Sequence, residues 1–102
     1  MIFARVTGTV VCTTKDEKLV GSKLLLVQPV DLAGSSKGSP LVAVDSVGAG
    51  EGELVLLVQG SSARQTTRTE GRPVDAVIFA IVDTVEVNGK TAFKKSEDAH
   101  AK

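Results

Sequence analysis

The sequence predicts an all-β fold built as a small barrel of five strands, and three observations carry this prediction. Apolar residues recur with period two along most of the chain, which is typical of strands. The core must be aliphatic and largely β-branched, because three phenylalanines are the only aromatic residues among 102. Ten glycines divide the chain into short apolar segments, with no long helical pattern between them. A chain of this length forms one domain.

The first two strands follow from the first thirty-one residues. The segment IFARVTGTVVCTT, which begins at Ile2, alternates throughout and predicts a long first strand. Gly8 in its middle predicts a bulge or sharp bend, as a barrel needs at a corner. Cys12 falls on the apolar face, which predicts a buried structural thiol. After the charged turn TKDEK, the segment LVGSKLLLVQPVD is the second strand, and Pro29 near its end suits an edge position or a strand exit.

The remaining elements are punctuated by small and polar residues. A flexible loop at 32–40 precedes LVAVDSV, the third strand, and ELVLLVQG is the fourth. One or two helical turns are predicted in SSARQTTR, with Ser61 or Ser62 as N-cap. The segment VDAVIFAIVDTVEV is the fifth and longest strand, and Asn88–Gly89 predicts a C-terminal hairpin that returns through the short strand KTAFK. Residues 1–95 form the barrel domain and 96–102 a flexible polar tail.

These elements favour a closed or nearly closed barrel with one short helix after the fourth strand. An OB-like barrel is one such architecture, and the strand count alone leaves an SH3-like barrel open. Strand five is apolar on both faces, with Val77 and Phe79 on one side and Ile78 and Ala80 on the other. Strands two and four behave similarly. Exposed apolar faces usually mark interfaces, which predicts self-association; the alternative is that the helix and loops cover the second faces.

The glycine-rich stretch GAGEGE at 48–53 raises the question of a nucleotide site. A dinucleotide loop reads G-x-G-x-x-G between a strand and a helix, whereas this loop enters a strand and has Glu53 in place of the third glycine. A P-loop needs a Gly-Lys-Ser/Thr ending that is absent, and Glu51 and Glu53 would repel a phosphate. The better interpretation is a tight turn with backbone angles that glycine tolerates.

The composition excludes several other functions. The formal net charge is zero, so no global attraction to nucleic acid or anionic membranes is expected. His100 stands alone in the tail and Cys12 is the single cysteine, so no catalytic pair, metal site or internal disulfide is predicted. Arg64, Arg68 and Arg72 favour a solvated face or an inter-chain salt bridge over an anion site. We expect a cytoplasmic protein that is not an enzyme and holds no cofactor.

Three segments, in order and at similar spacing, resemble the bacterial microcompartment vertex proteins of the EutN/CcmL family. They are ARVTGTVVCTTK near the start, VDSVGAGEGELVLLVQGSSAR in the middle and PVDAVIFAIVDTVEV near the end. The middle segment is the specific one, with G-A-G-x-G-E, an aliphatic strand and G-S-S-A-R. Together with the second strand, these segments cover most of the chain. The loops and the tail carry no signature that identifies the compartment.

The resemblance implies an OB-like protomer in a homopentamer that caps the five-fold vertices of a shell whose facets are hexamers of another fold. No catalysis is implied. A ring needs two different apolar patches on each protomer. The implied sites are an axis or pore loop at Gly48, Ala49, Gly50 and Glu51, where large side chains would clash with their symmetry copies, and a subunit interface at Ser61, Ser62, Ala63, Arg64, Ile78, Ala80 and Val82.

The alternative from another class is an OB-fold module that binds single-stranded nucleic acid. Such modules stack bases on aromatic side chains inside a basic groove. This chain has no Trp, no Tyr and no net positive charge. Only Phe3, Phe79 and Phe93 could stack, and Phe79 lies in an apolar strand that is expected to be core. The sequence therefore favours the shell protein over this alternative.

Overall fold

The computed structural model describes residues 1–13, 15–60, 63 and 75–98. Within these residues the protein is all-β, with two short 3-10 turns at Glu17–Leu19 and Lys95–Glu97. The predicted helix at 61–68 lies outside the described residues apart from Ala63. The strands are β1 Ile2–Val10, β2 Leu24–Pro29, β3 Leu41–Asp45, β4 Leu54–Gln59, β5 Ala76–Ile81, β6 Thr84–Val87 and β7 Lys90–Lys94.

The first five strands form a closed barrel in the order β1-β2-β3-β5-β4, with β4 returning to β1. All pairs are antiparallel except β3 with β5, which meet in parallel at Val44–Val77 and Asp45–Ile78. This architecture confirms the predicted OB-like barrel. Closure leaves the five strands without a free edge, which is how a small sheet avoids unwanted pairing with other chains.

Strand β1 contacts two neighbours, and its bend makes this possible. Its first residues pair with β4 and the stretch from Ala4 to Val10 pairs with β2. The register shifts between Val6 and Gly8, so the bulge predicted at Gly8 is confirmed. The strand ends at Val10, before the predicted end of the segment. Cys12 is therefore in the following turn and is exposed in the protomer, so the prediction of a buried thiol was wrong.

The barrel interior holds one continuous aliphatic cluster. Alternate residues of each strand point inward, as the pleat of a strand requires. Four members of this cluster, Val6, Leu25, Leu57 and Ile78, are among the largest fully buried side chains, and alanines complete the interior. The buried members are Ala4, Val6, Leu25, Val27, Ala43, Ala49, Val55, Leu57, Ala76 and Ile78.

The outward faces are covered in two places by the protomer itself. One outer cluster joins Val44, Ala63 and Val77, with Leu19 of the first 3-10 turn packed against it. A second cluster, which we call the hairpin cluster, comprises Val30, Leu54 and Val82 together with Phe3, Leu56, Val85 and Phe93. The predicted fifth strand is apolar on both faces because one face packs in the barrel interior and much of the other packs in these two outer clusters. For these residues the alternative is the one observed, because the chain itself covers its second faces.

The segment predicted as one long fifth strand is divided into β5 and β6. The ladder is interrupted at Val82 and Asp83, where the Val82 N–H donates to the Leu54 carbonyl and the Lys95 N–H donates to the Asp83 carbonyl. Beyond this point β6 leaves the barrel and pairs with β7 alone. Asn88 and Gly89 both have positive φ, 52° and 77°, which confirms the predicted hairpin turn.

Candidate functional site

The glycine loop, residues 46–53, joins β3 to β4. Gly48 and Gly52 have φ of +78° and +86°, a region where side chains with a Cβ are strained. Gly50 does not have positive φ. A strand follows the loop, so no helix N-terminus is available to hold a phosphate. The geometry supports the interpretation as a tight turn.

The N-terminal half of the loop is anchored to the barrel by a buried carboxylate. The Asp45 side chain is 2% exposed and accepts from the Val47 N–H at 3.1 Å. Lys23 Nζ lies 3.5 Å from Asp45 Oδ2 and donates to the Ala49 carbonyl at 2.9 Å. Ser46 is fixed to β5, because both its N–H and its hydroxyl donate to the Ile78 carbonyl. The loop backbone is therefore held to two strands before it reaches Gly50.

Glu53 holds the C-terminal half. Its Oε1 accepts from the Gly50 N–H at 2.7 Å, and its Oε2 pairs with Lys95 Nζ at 2.5 Å. One carboxylate oxygen thus closes the loop, while the other binds the turn that follows β7. Lys95 lowers the pKa of Glu53 by donating this hydrogen bond; burial opposes the shift and the Gly50 N–H adds to it. In return Glu53 raises the pKa of Lys95.

Arg5 connects the same two regions from β1. Its Nη1 donates to the Gly52 carbonyl at 2.9 Å and to Asp98 Oδ2 at 2.5 Å. The guanidinium also lies 5.9 Å from the centroid of the Phe93 ring, within reach of a cation–π contact. The side chains of Arg5 and Asp98 are only 16% and 10% exposed, so this pair is partly withdrawn from water. Both 96–98 and the glycine loop are therefore tied to β1.

The predicted loop residues occupy different environments. Gly48 and Glu51 are exposed and Gly50 is half-buried. Ala49 is fully buried and its methyl group belongs to the barrel core. A Cβ added at Gly50 would meet only Glu53 Oε1, at 3.6 Å, which is ordinary contact. The small size of Ala49 is thus a requirement of the protomer, whereas that of Gly50 is not.

The predicted interface residues are divided in a similar way. Ser61, Ser62 and Arg64 lie outside the described residues. Ala63 is fully buried against Val44 and Val77. Ile78 fills the barrel interior and Val82 belongs to the hairpin cluster, so neither side chain is available to a neighbouring subunit. Ala80, which is half-buried, remains on the outer surface of the protomer.

The structure adds residues that the sequence did not indicate. Lys23, Arg5, Lys95 and Asp98 all contact the glycine loop or the turn beside it. Arg5 could have been noticed as a cation on the polar face of an alternating strand. Nothing local pointed to Asp98, because its partner lies 93 positions away in the chain. In the part of the chain that the structure describes, no cluster of His, Cys, Asp and Glu could hold a metal ion, and no helix is long and apolar enough to cross a membrane.

Comparison with known proteins shows similarity to one family over most of the chain. The family profile described as "Ethanolamine utilisation protein EutN/carboxysome" matches residues 1–83. The shell vertex protein EutN of the Salmonella typhimurium bacterial microcompartment is 50% identical over 95 residues, which are 93% of this chain and 96% of that protein. The carboxysome shell vertex protein CcmL of Gloeobacter violaceus is 46% identical over 97 residues, 95% of this chain and 97% of its own.

Solved structures show the same likeness. CcmL of a Nostoc species superposes with a TM-score of 0.88 at 50% identity, covering 93% of this chain and 100% of that one. GrpN of Rhodospirillum rubrum, described as a pentameric microcompartment shell protein, superposes with a TM-score of 0.77 at 47% identity, covering 85% and 99%. Both similarities extend over nearly the whole of each relative.

Proposed function

The chain belongs to the EutN/CcmL family, and from this premise we propose that it is a structural shell protein whose homopentamers cap the five-fold vertices of a bacterial microcompartment. The observation that carries the proposal is the match to shell vertex proteins at about half identity over almost the full length of both chains. GrpN, a relative of the same fold, is described as pentameric. The protein accordingly resides in the shell, within the cytoplasm.

The surface of the protomer supports assembly into a ring. Exposed apolar side chains remain after the two outer clusters are covered, and they occur on separate elements: Ile2 on β1, Val42 on β3 and Val47 in the glycine loop, at 37%, 45% and 39% exposure. Strand β2 lies between β1 and β3 on one side of the barrel. A heterologous ring contact joins two different patches of one protomer type, so apolar surface on separate sides is what it requires.

Within this proposal, residues 48–51 of the glycine loop are assigned to the five-fold axis, and Ser61, Ser62, Arg64 and Ala80 to the contact between neighbours. Gly50 supports the first assignment, because its lack of a side chain serves no need of the protomer. The partners beyond the ring are the hexameric shell proteins of the facets. No catalytic role is proposed, since Glu53 is engaged with Lys95 and the Gly50 N–H.

The nucleic-acid alternative finds no support in the placement of the aromatic residues. Phe3 and Phe93 pack in the hairpin cluster, and all three phenylalanines are at least half-buried. A stacking platform needs ring faces open to bases. Arg5, whose guanidinium lies 5.9 Å from the Phe93 ring centroid, is already engaged with Asp98 and the Gly52 carbonyl.

The test is the mass of the assembled particle, followed by shell closure. Native mass spectrometry of the purified protein should show five chains, and the particle should not bind single-stranded oligonucleotides at low salt. Co-expression with hexameric shell proteins of the same organism should yield closed polyhedra, and omission of this chain should leave the shells open. A stable monomer at micromolar concentration, or tight salt-dependent binding of oligonucleotide, would refute the proposal.

A further inference from the structure

One ion pair joins the glycine loop to the turn that follows the C-terminal hairpin, and a second joins β1 to the same turn. Lys95 binds Glu53, and Asp98 binds Arg5, which also holds the Gly52 carbonyl. We infer that this turn, Lys95–Asp98, sets the conformation of the glycine loop, and that the hairpin brings the turn to this position. We call the four side chains Arg5, Glu53, Lys95 and Asp98 the C-terminal clamp.

The clamp acts on the loop through atoms that the loop needs. Glu53 uses one oxygen for the Gly50 N–H and the other for Lys95, so the ammonium orients the carboxylate that closes the loop. Arg5 Nη1 contacts the Gly52 carbonyl and Asp98 at the same time. The loop itself supplies few side chains for its own order, because three of its residues are glycines. A loop of this composition is fixed mainly by partners outside it.

The hairpin is built to bring the clamp to this place. Val85 and Phe93 pack onto the hairpin cluster on the barrel surface, with Phe3 and Leu54 beneath them. The Lys95 N–H donates to the Asp83 carbonyl at 2.8 Å, and the Asp98 N–H donates to the Lys95 carbonyl at 3.1 Å. The two charged side chains therefore leave a turn whose backbone is already fixed at both ends.

The arrangement gives the C-terminal hairpin a role that its edge position does not suggest. If the glycine loop surrounds the five-fold axis, the clamp controls the position of the backbone at the centre of the ring. This consequence depends on the proposed function, whereas the hold of the clamp on the loop does not. Charge-assisted contacts of this kind, partly withdrawn from water, are stronger than ordinary surface pairs.

The experiment measures amide hydrogen exchange of residues 48–53 in the intact assembled protein. The variants Lys95→Gln and Asp98→Asn remove one clamp charge each, and the exposed neighbours Lys94→Gln and Glu97→Gln are the matched controls. Exchange of the Gly50 amide, which donates to Glu53 Oε1, should accelerate about tenfold in the clamp variants, the equivalent of about 1.4 kcal/mol. The Gly52 amide, which donates to the Val6 carbonyl of β1, should respond less. The controls should exchange like the wild type, and Lys95→Arg, which keeps the pair, should restore most of the protection.

The same samples test the clamp independently of the proposed pentamer. Protection of Val55 and Leu57 in the barrel should be unchanged, which shows that the variants remain folded. Equal exchange of Gly50 in clamp variants and controls would overturn the inference, as would acceleration spread evenly over the barrel strands. A wild-type particle that is monomeric by native mass spectrometry would refute the proposed pentamer, and the exchange of the loop would still decide whether the clamp operates.

Discussion

Replacement of Gly50 provides the sharpest test of whether the glycine loop lies at a crowded axis. In the protomer this position has no positive φ, and a new Cβ meets only Glu53 Oε1 at 3.6 Å. Gly→Ala at a compatible backbone position stabilises a fold by about 0.4–1 kcal/mol, because the unfolded chain loses freedom. We therefore expect Gly50→Ala to leave the barrel at least as stable as the wild type.

In a ring whose axis is lined by the loop, a side chain at residue 50 destabilises the assembly although it does not destabilise the protomer. Overpacking costs about 1–3 kcal/mol at one site, and five coincident copies would cost roughly 5–15 kcal/mol per ring. Gly50→Leu should then keep a β-rich circular dichroism spectrum while the rings dissociate at protein concentrations where the wild type is intact. Native mass spectrometry over a dilution series measures the dissociation, and Gly50→Ala should lie between the two.

Two matched variants separate crowding from local strain. Gly34→Ala, outside the glycine loop, places a side chain at positive φ with nothing within 4 Å, so it should cost about 1–2 kcal/mol of protomer stability without a specific effect on assembly. Ala49→Leu should overpack the barrel, because Ala49 is fully buried there, and should lower the melting temperature first. If Gly50→Leu formed normal pentamers that close shells with the hexamers, the placement of the loop at the axis would be refuted.

Four further predictions test the protomer and the ring. The pKa of Glu53 is lowered in the folded protein. Its contribution to stability is therefore complete above its ordinary pKa of 4.5 and is lost as the pH falls through its folded pKa. Glu53→Gln should flatten the acid limb of a plot of denaturation midpoint against pH. The pKa of Lys95 is raised in the folded protein, so its contribution to stability is complete below pH 10.5 and declines only as the pH rises through its folded pKa. Lys95→Gln should therefore flatten the alkaline limb of the same plot. Unchanged limbs in both variants would contradict the ion pair between Glu53 and Lys95. Leu57→Ala should cost about 2–5 kcal/mol of unfolding free energy in a urea titration. If the Arg64 guanidinium pairs with a carboxylate of the neighbouring subunit, Arg64→Ala should weaken the ring by about 3–5 kcal/mol per pair and leave the barrel folded, with Arg68→Ala as control. Wild-type assembly of Arg64→Ala would refute such a pair.

The sequence predicted the features that depend on neighbours in the chain. Alternation located the barrel strands, Gly8 marked the bulge, and Asn88–Gly89 located the hairpin turn. Each of these signals is carried by a few consecutive residues, because pleat parity and positive φ are local properties. The fold class followed from them, since a closed barrel buries the inward faces of five short strands and leaves no free edge.

The sequence did not predict the features that depend on distant contacts. Val82 and Asp83 continue an apolar pattern, so nothing local shows that the strand leaves the barrel there. The same pattern could not show whether the second face of the strand is covered by this chain or by another. The structure assigns part of it to the hairpin cluster, where Phe93 returns to Phe3. Cys12 was misplaced because parity was extended beyond Val10, where the strand ends.

The residues of the GAGEGE motif differ in what the protomer requires of them. Gly48 and Gly52 are required by their backbone angles, Ala49 by the space inside the barrel, and Glu53 by the amide and the ammonium that it binds. Gly50 alone among these five has neither a strained backbone nor a neighbour that excludes a methyl group. Glycine without such a need costs stability, because it gives the unfolded chain more freedom. A requirement outside the protomer would explain glycine at this position, and the close approach of neighbouring copies in the proposed ring would impose it.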